Sequence, residues 1–281
     1  MAHTLIPSLV RTVLPPILRK PIKQAYTSVV DYGELVLGFR DLLTPPRSRI
    51  FIGSGDFKRV GQEFKQHFIK LGGLRPTDSV LDVGCGIGRM AIPLTDYIQS
   101  PGYYEGFDIV GHGIDWCRKM ITPRFPNFKF QQADIYNGHY NPNGSFEAKN
   151  YKFPFPDNQF DFVFLTSVFT HMPLADVDNY LAEISRVLKP GGRCFATFFL
   201  LTDESRILMA EPTSTYNFQY KQDGRYVFNE QDPELGTAFD ELTVRDLFIR
   251  HGFLKTYPVY PGSWCGRTQA VTFQDIVVVT K

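Results

Sequence analysis

Val80-Leu81-Asp82-Val83-Gly84-Cys85-Gly86-Ile87-Gly88-Arg89 is a short apolar run, then an acid, then glycines on three alternate positions. A strand that enters a glycine-rich turn and leaves as a helix can bring its backbone close to a ligand, because no Cβ intervenes. The helix that follows offers unpaired N–H groups and the positive end of its dipole. The pattern predicts a ligand-binding turn in a doubly wound α/β sheet. A dinucleotide fingerprint spaces its glycines G-x-G-x-x-G. Here the third glycine comes one residue early, at Gly88, and Arg89 stands where the fingerprint has glycine. Asp82, ahead of the first glycine, repels a pyrophosphate and suits a cationic head group.

The rest of a sheet follows in order. A helix is predicted over 90–99 and a second strand over 103–110. Asp108 in that strand is near the spacing at which an acid meets ribose hydroxyls. A third strand over 128–135 places Asp134 at its carboxyl end. The fourth strand covers 160–166 and the fifth 193–199. Residues 173–188 carry Val177, Tyr180, Leu181, Ile184 and Val187 at helical spacing, a core-facing stripe. Residues 240–251 read as a last helix stopped by Gly252, with strands six and seven at 254–260 and 274–280.

The glycine turn with its acid resembles motif I of the class I S-adenosylmethionine (SAM)-dependent methyltransferases, D/E-x-G-x-G-x-G. The turn Leu188-Lys189-Pro190-Gly191-Gly192 is a familiar feature of the same family. The resemblance lies mainly in residues 50–200 and the C-terminal end. It implies a Rossmann-like, doubly wound sheet of seven strands, with strands one to six parallel and strand seven antiparallel. It also implies SAM as cofactor and S-adenosyl-L-homocysteine as product. The implied cofactor residues are Asp82, Gly84, Gly86 and Gly88 in the turn, Asp108 for the ribose, Asp134 for the adenine amino group with Ile135 packing on its ring, and Thr166 closing strand four. Asp108 and Asp134 can equally serve as turn or capping residues. The domain reading is a helical extension or cap at 1–74 and a methyltransferase domain at 75–281, with a lid-like insertion at 201–236.

The acceptor is less defined. Parallel strands put the turn after strand six on the same edge as Gly84, so Trp264 and Arg267 are candidates for a flat or anionic acceptor. A Trp covering core and a solvated Arg are the alternative. The insertion is rich in aromatic rings, among them Tyr216 and Tyr220, which suit sugars, polyketides or lipids. His171, just beyond strand four, is the candidate general base; its alternative is a helix cap or a local hydrogen bond. Phe51-Ile52-Gly53-Ser54-Gly55-Asp56-Phe57 and the stretch from Phe153 to Asp161 resemble bacterial methyltransferases of polysaccharide and natural-product biosynthesis. The expected reaction is therefore O-methylation of a glycosyl or secondary-metabolite hydroxyl. N- or C-methylation of a small molecule is the alternative, and a non-catalytic scaffold the third.

A net charge of +1 over 281 residues argues against a nucleic-acid binder driven by phosphate neutralisation. The four cysteines are scattered, which suggests neither a disulfide framework nor a zinc site and fits a reducing cytoplasm. No metal site is expected. Residues 1–30 hold no acid, while Arg11, Arg19, Lys20 and Lys23 interleave with aliphatic residues. Residues 1–24 are thus a candidate for weak membrane-surface contact, although Pro7, Pro15, Pro16 and Pro21 oppose a long helix there. A helical cap over the substrate is the other reading.

Overall fold

The structure is a computed structural model that describes residues 16–53 and 55–281, with the backbone alone for 16–21, 23 and 24. The membrane-contact expectation for residues 1–24 therefore falls largely outside the described residues. The chain enters through α1 (Pro16–Val36) and α2 (Phe57–Lys70), the latter capped by Asp56, whose side chain accepts from the Arg59 amide at 2.7 Å. Helix α1 runs through Pro21, contrary to the expectation of broken helix. Pro16 opens the first turn, where a missing N–H costs nothing, and Pro21 removes one bond only.

The sheet begins with β1 (Ser79–Val83), followed by α3 (Ala91–Leu94), β2 (Tyr103–Asp108), α4 (Gly111–Met120), β3 (Phe128–Gln132) and β4 (Phe160–Leu165). After α5 (Leu174–Val187) come β5 (Leu188–Phe198) and β6 (Leu200–Leu201), then α6 (Asp203–Leu208), β7 (Tyr220–Gln222), β8 (Arg225–Val227) and β9 (Thr237–Asp240). Helix α7 (Glu241–Arg250), β10 (Val259–Tyr260) and β11 (Asp275–Thr280) close the fold. Helix α3 is shorter than the expected 90–99, and the chain continues as turns after Leu94. Strand six is likewise shorter, confined to Val259 and Tyr260.

Seven strands pair in the order β10-β11-β5-β4-β1-β2-β3. All neighbours through β5 run parallel, and β11 runs antiparallel to both β5 and β10, as expected for a class I sheet. Alternation along the strands divides the core in two. Val80, Phe162 and Phe164 face α2 and α4, while Leu81, Val83 and Val163 face α5 and α7. Both faces are covered, which is why β1 reads as an almost unbroken apolar run. The one charged residue in that strand, Asp82, must then find its partners indoors.

The insertion is not an open loop. β6-β9-β8-β7 form a second sheet with its own core of Phe199, Phe218, Trp264 and Cys265. No helix among the described residues is long and apolar enough to cross a membrane.

Candidate active site at the strand ends

The strand order reverses between β1 and β4, and ligands of open α/β sheets bind beyond the carboxyl ends at such a point. Gly84 follows β1 directly with φ +83°, a conformation that disfavours any side chain, and a Cβ there would stand 2.5 Å from Val168 Cγ2. Gly88 has a different task. A Cβ on it would meet Ile121 and Cys117 of the α4 region, so it permits close packing behind the turn rather than ligand approach.

Two acids support this turn. Asp108 is buried and accepts from the Gly86 amide at 2.7 Å and from the Val110 amide at 2.8 Å. It therefore fixes the glycine turn as well as lying at the end of β2, and its remaining lone pairs can accept from a ribose diol. Burial raises its pKa, while the amide bonds work against that rise. Asp82 is 1% exposed; its Oδ2 accepts from the Tyr104 hydroxyl at 2.5 Å, and its Oδ1 is buried with no partner. Desolvation pushes its carboxyl up to about 8, against the lowering hydrogen bond from Tyr104. An orphaned acceptor beneath a glycine turn is what a cationic or N–H-bearing ligand would satisfy. The donor set fits SAM.

Asp134 lies exposed at the end of β3, open to a ligand. Ile135 is not. It is 2% exposed in the core with Phe107 and Phe153, held there by its bridge to Phe146, so it has no face to offer an adenine ring. The better-placed rings come from elsewhere. Phe51 packs edge-on to His112 at 4.9 Å and lies 6.3 Å from Tyr140, beside Gly113 at the start of α4. Ile52 covers Gly86, and Arg89 donates to the Ile52 and Gly53 carbonyls at 2.8 and 2.9 Å. The segment from Phe51 thus folds over the glycine turn, tied down by the residue that breaks the dinucleotide pattern.

Strand β4 ends at Leu165, with Thr166 half-buried just past it. Ser167 then adopts φ +59°, a left-handed conformation rare for a residue with a Cβ. Its amide donates to Thr197 Oγ1 at 2.8 Å and its hydroxyl donates to Gln274 at 3.0 Å. Such strain gathers at functional sites, and no feature of the sequence flags Ser167. His171 follows in a 3-10 turn (Phe169–His171). It does not cap α5. Its Nδ1–H donates to the Glu234 carbonyl at 2.7 Å, across to the insertion, and burial pushes its imidazole below the usual 6.5. A second link, His139 Nε2 to Asp232 at 2.8 Å, joins the excursion after β3 to the same insertion segment.

The expected acceptor residues are mostly structural. Trp264 is fully buried, and its indole N–H donates to Asp275 at 2.8 Å between Phe199 and Phe218. Arg267 donates to the Gly262 carbonyl at 2.6 Å and pairs with Glu204 at 3.0 Å and Asp275 at 3.6 Å. Asp275, barely exposed, also accepts from Leu200 and Gly262. This cluster locks the loop after β10 to the start of the insertion and leaves neither Trp264 nor Arg267 a face for an acceptor. Tyr216 is half-buried and stacks on Phe228 at 4.8 Å, inside the insertion's core. Tyr220 is exposed on the edge strand of the small sheet.

Comparison with known proteins agrees with this geometry. Residues 81–196 match a family model described as a methyltransferase domain. The ubiquinone/menaquinone biosynthesis C-methyltransferase UbiE of Pseudomonas fluorescens is 27% identical over 71% of this chain and 73% of its own length. The 2-phytyl-1,4-naphtoquinone methyltransferase of a Nostoc species is 30% identical over 49% of this chain and 55% of its own. A Pyrococcus horikoshii protein of known structure shares the fold, with a TM-score of 0.55 at 19% identity over 83% of this chain and 94% of that one. Residues 81–196 thus carry a methyltransferase domain, and the glycine turn, the acids and the seven-stranded order are those of the class I SAM-dependent methyltransferase fold.

Proposed function

We propose that this enzyme methylates a ring carbon of a hydroxylated aromatic small molecule of the quinol type, with His171 as the base that takes the hydroxyl proton. The observation that carries this reading is the tautomer of His171. Its Nδ1–H is committed to the Glu234 carbonyl, so Nε2 is the atom left to accept a proton. Burial keeps the ring neutral near pH 7, ready to act. Loss of the hydroxyl proton places negative charge on the oxygen and on the ring carbons conjugated to it, raising the nucleophilicity of both. Once the methyl joins the carbon, that carbon's C–H bond breaks, its proton leaves and the oxygen is reprotonated, a net release of one proton. The hydrogen bond that Nδ1–H donates to the Glu234 carbonyl keeps the imidazole from turning away. Bound SAM supplies the activated methyl, and alignment supplies much of the rate. Asp82, Gly84, Gly86, Asp108, Asp134 and Thr166 would hold it.

The choice of carbon over oxygen rests on the names of the relatives, two of which act in quinone biosynthesis or on a naphthoquinone. O-methylation of a hydroxyl on a glycosyl or secondary-metabolite acceptor is the second reading, favoured by the same base, since a deprotonated oxygen is itself a nucleophile. An acceptor bearing a long hydrocarbon chain resides in a bilayer, which would give a membrane contact through residues 1–24 a purpose. The test is incubation with methyl-deuterated SAM and a reduced short-chain naphthoquinone, read by mass spectrometry and NMR. Label on a ring carbon supports the proposal, label on oxygen moves it to the second reading, and no transfer to quinols overturns it.

A further inference from the structure

We infer that helix α1 and the turn after it form a docking surface for an anionic membrane, lying on the bilayer rather than crossing it. Nine of the 19 exposed large apolar side chains among the described residues fall between Ile22 and Leu42. Within α1 the spacing is regular. Ile22, Tyr26, Val29 and Val36 recur at helical intervals along one stripe, with Tyr32 beside it, and Val29 and Tyr32 are 72% and 70% exposed.

The opposite side of the helix is the polar one, and it faces the protein. Asp31 stands about half a turn from that stripe and is buried, pairing with Arg47 and with Arg40 at 3.1 Å and accepting from the Arg47 amide at 2.7 Å. Glu34 pairs with Arg47 at 2.8 Å on the same side. A surface helix of a globular protein turns its apolar stripe inward. Here the arrangement is reversed, with ion pairs inside and aliphatic and aromatic groups outside. The reversal continues past the helix end at Leu37 and at Phe39, which is 78% exposed.

Contiguous apolar surface of this extent marks a site of association. Charge decides the occupant. The chain carries Arg11, Arg19, Lys20 and Lys23 before its first acid, Asp31, and Asp31 is neutralised inward by two arginines. A run of cations in the sequence next to an apolar helical face that includes Tyr26 suits an anionic lipid surface. The four like charges oppose self-association of the same segment. The surface requires no particular acceptor, so it stands apart from the quinol reading, although a bilayer-resident acceptor would be delivered by it.

The test is vesicle flotation of the full chain without acceptor, on phosphatidylcholine vesicles with and without phosphatidylglycerol. Binding is expected with phosphatidylglycerol only and should fall about tenfold or more in about 0.5 M salt. Val29→Asp/Phe39→Asp places charges on exposed positions and should abolish flotation while leaving SAM binding by calorimetry unchanged. Lys20→Glu/Lys23→Glu should weaken it by about tenfold. Absence of flotation, or flotation by the Val29→Asp/Phe39→Asp variant as by the parent, overturns the inference. So does a vesicle-free dimer, seen by light scattering, that the same variant dissociates, because the surface would then belong to a second copy. Quinol methylation in detergent proceeds or fails independently of these results.

Discussion

The two halves of the site are built on different principles. The proposed cofactor half, from β1 to the end of β3, has its candidate ligand groups on consecutive strand ends, each set by a short stretch of sequence. The proposed acceptor half is assembled across the chain. His171 takes its orientation from Glu234, 63 positions away, and the loop after β10 is fixed by Asp275 to Leu200 and to Trp264. Local chemistry specifies the first half, whereas tertiary packing specifies the second.

Substitutions can break or sharpen this division. The largest effect is expected where an apparent binding residue is in fact core. Trp264→Ala removes a fully buried indole and one of the hydrogen bonds that Asp275 accepts, so unfolding should cost about 3–5 kcal/mol less by denaturant titration. A stable variant with weakened acceptor binding would return Trp264 to the acceptor surface.

Asp82 comes next, on the cofactor side. Its folded pKa is raised above the unfolded value, so its contribution to stability is fully present below the ordinary carboxyl range and is lost as pH rises through about 8. Asp82→Asn has no proton to lose. Without SAM it should be more stable than the parent at pH 9 by on the order of 5 kcal/mol, with the advantage gone near pH 4. Its SAM affinity should nevertheless fall, since an amide cannot give up a proton to meet a bound cation as the carboxyl can. Parallel pH-stability curves for the two proteins would contradict the burial argument.

Asp108→Ala should cost about 1.5–3 kcal/mol in SAM affinity, because it removes charge-assisted hydrogen bonds and frees the Gly86 amide. Calorimetry showing unchanged affinity would reduce Asp108 to a turn residue. Tyr220→Ala, on an exposed edge strand, should change stability by less than about 0.5 kcal/mol and leave SAM binding untouched. A large loss of acceptor turnover there would extend the acceptor surface to the small sheet.

What the sequence made legible follows the same division. The stripe of α5 and the supporting acids Asp82 and Asp108 derive from spacing within a few residues, and the seven-stranded order from the family resemblance that the glycine turn carries. Ile135, Trp264 and Arg267 were misplaced because a residue type suited to a ligand is equally suited to a core or an ion pair, and only long-range packing decides. Ser167 and Glu234 carried no signal at all: one is set by backbone conformation, the other acts through its carbonyl. The reversed polarity of α1 was hidden for a related reason, since periodicity reveals a stripe but not which way it faces.

The central claim is that the insertion sets the base of the acceptor half while the cofactor half binds SAM on its own. His171→Gln tests it most directly, because glutamine keeps a hydrogen-bonding side chain but cannot take the proton. SAM Kd by calorimetry should stay within about twofold, while kcat should fall by about a hundred- to ten-thousand-fold. In the parent, kcat should decline as pH drops through a value below 6.5, and the variant should lose that limb. Near-normal kcat with the limb intact, or loss of SAM binding along with activity, would contradict the account.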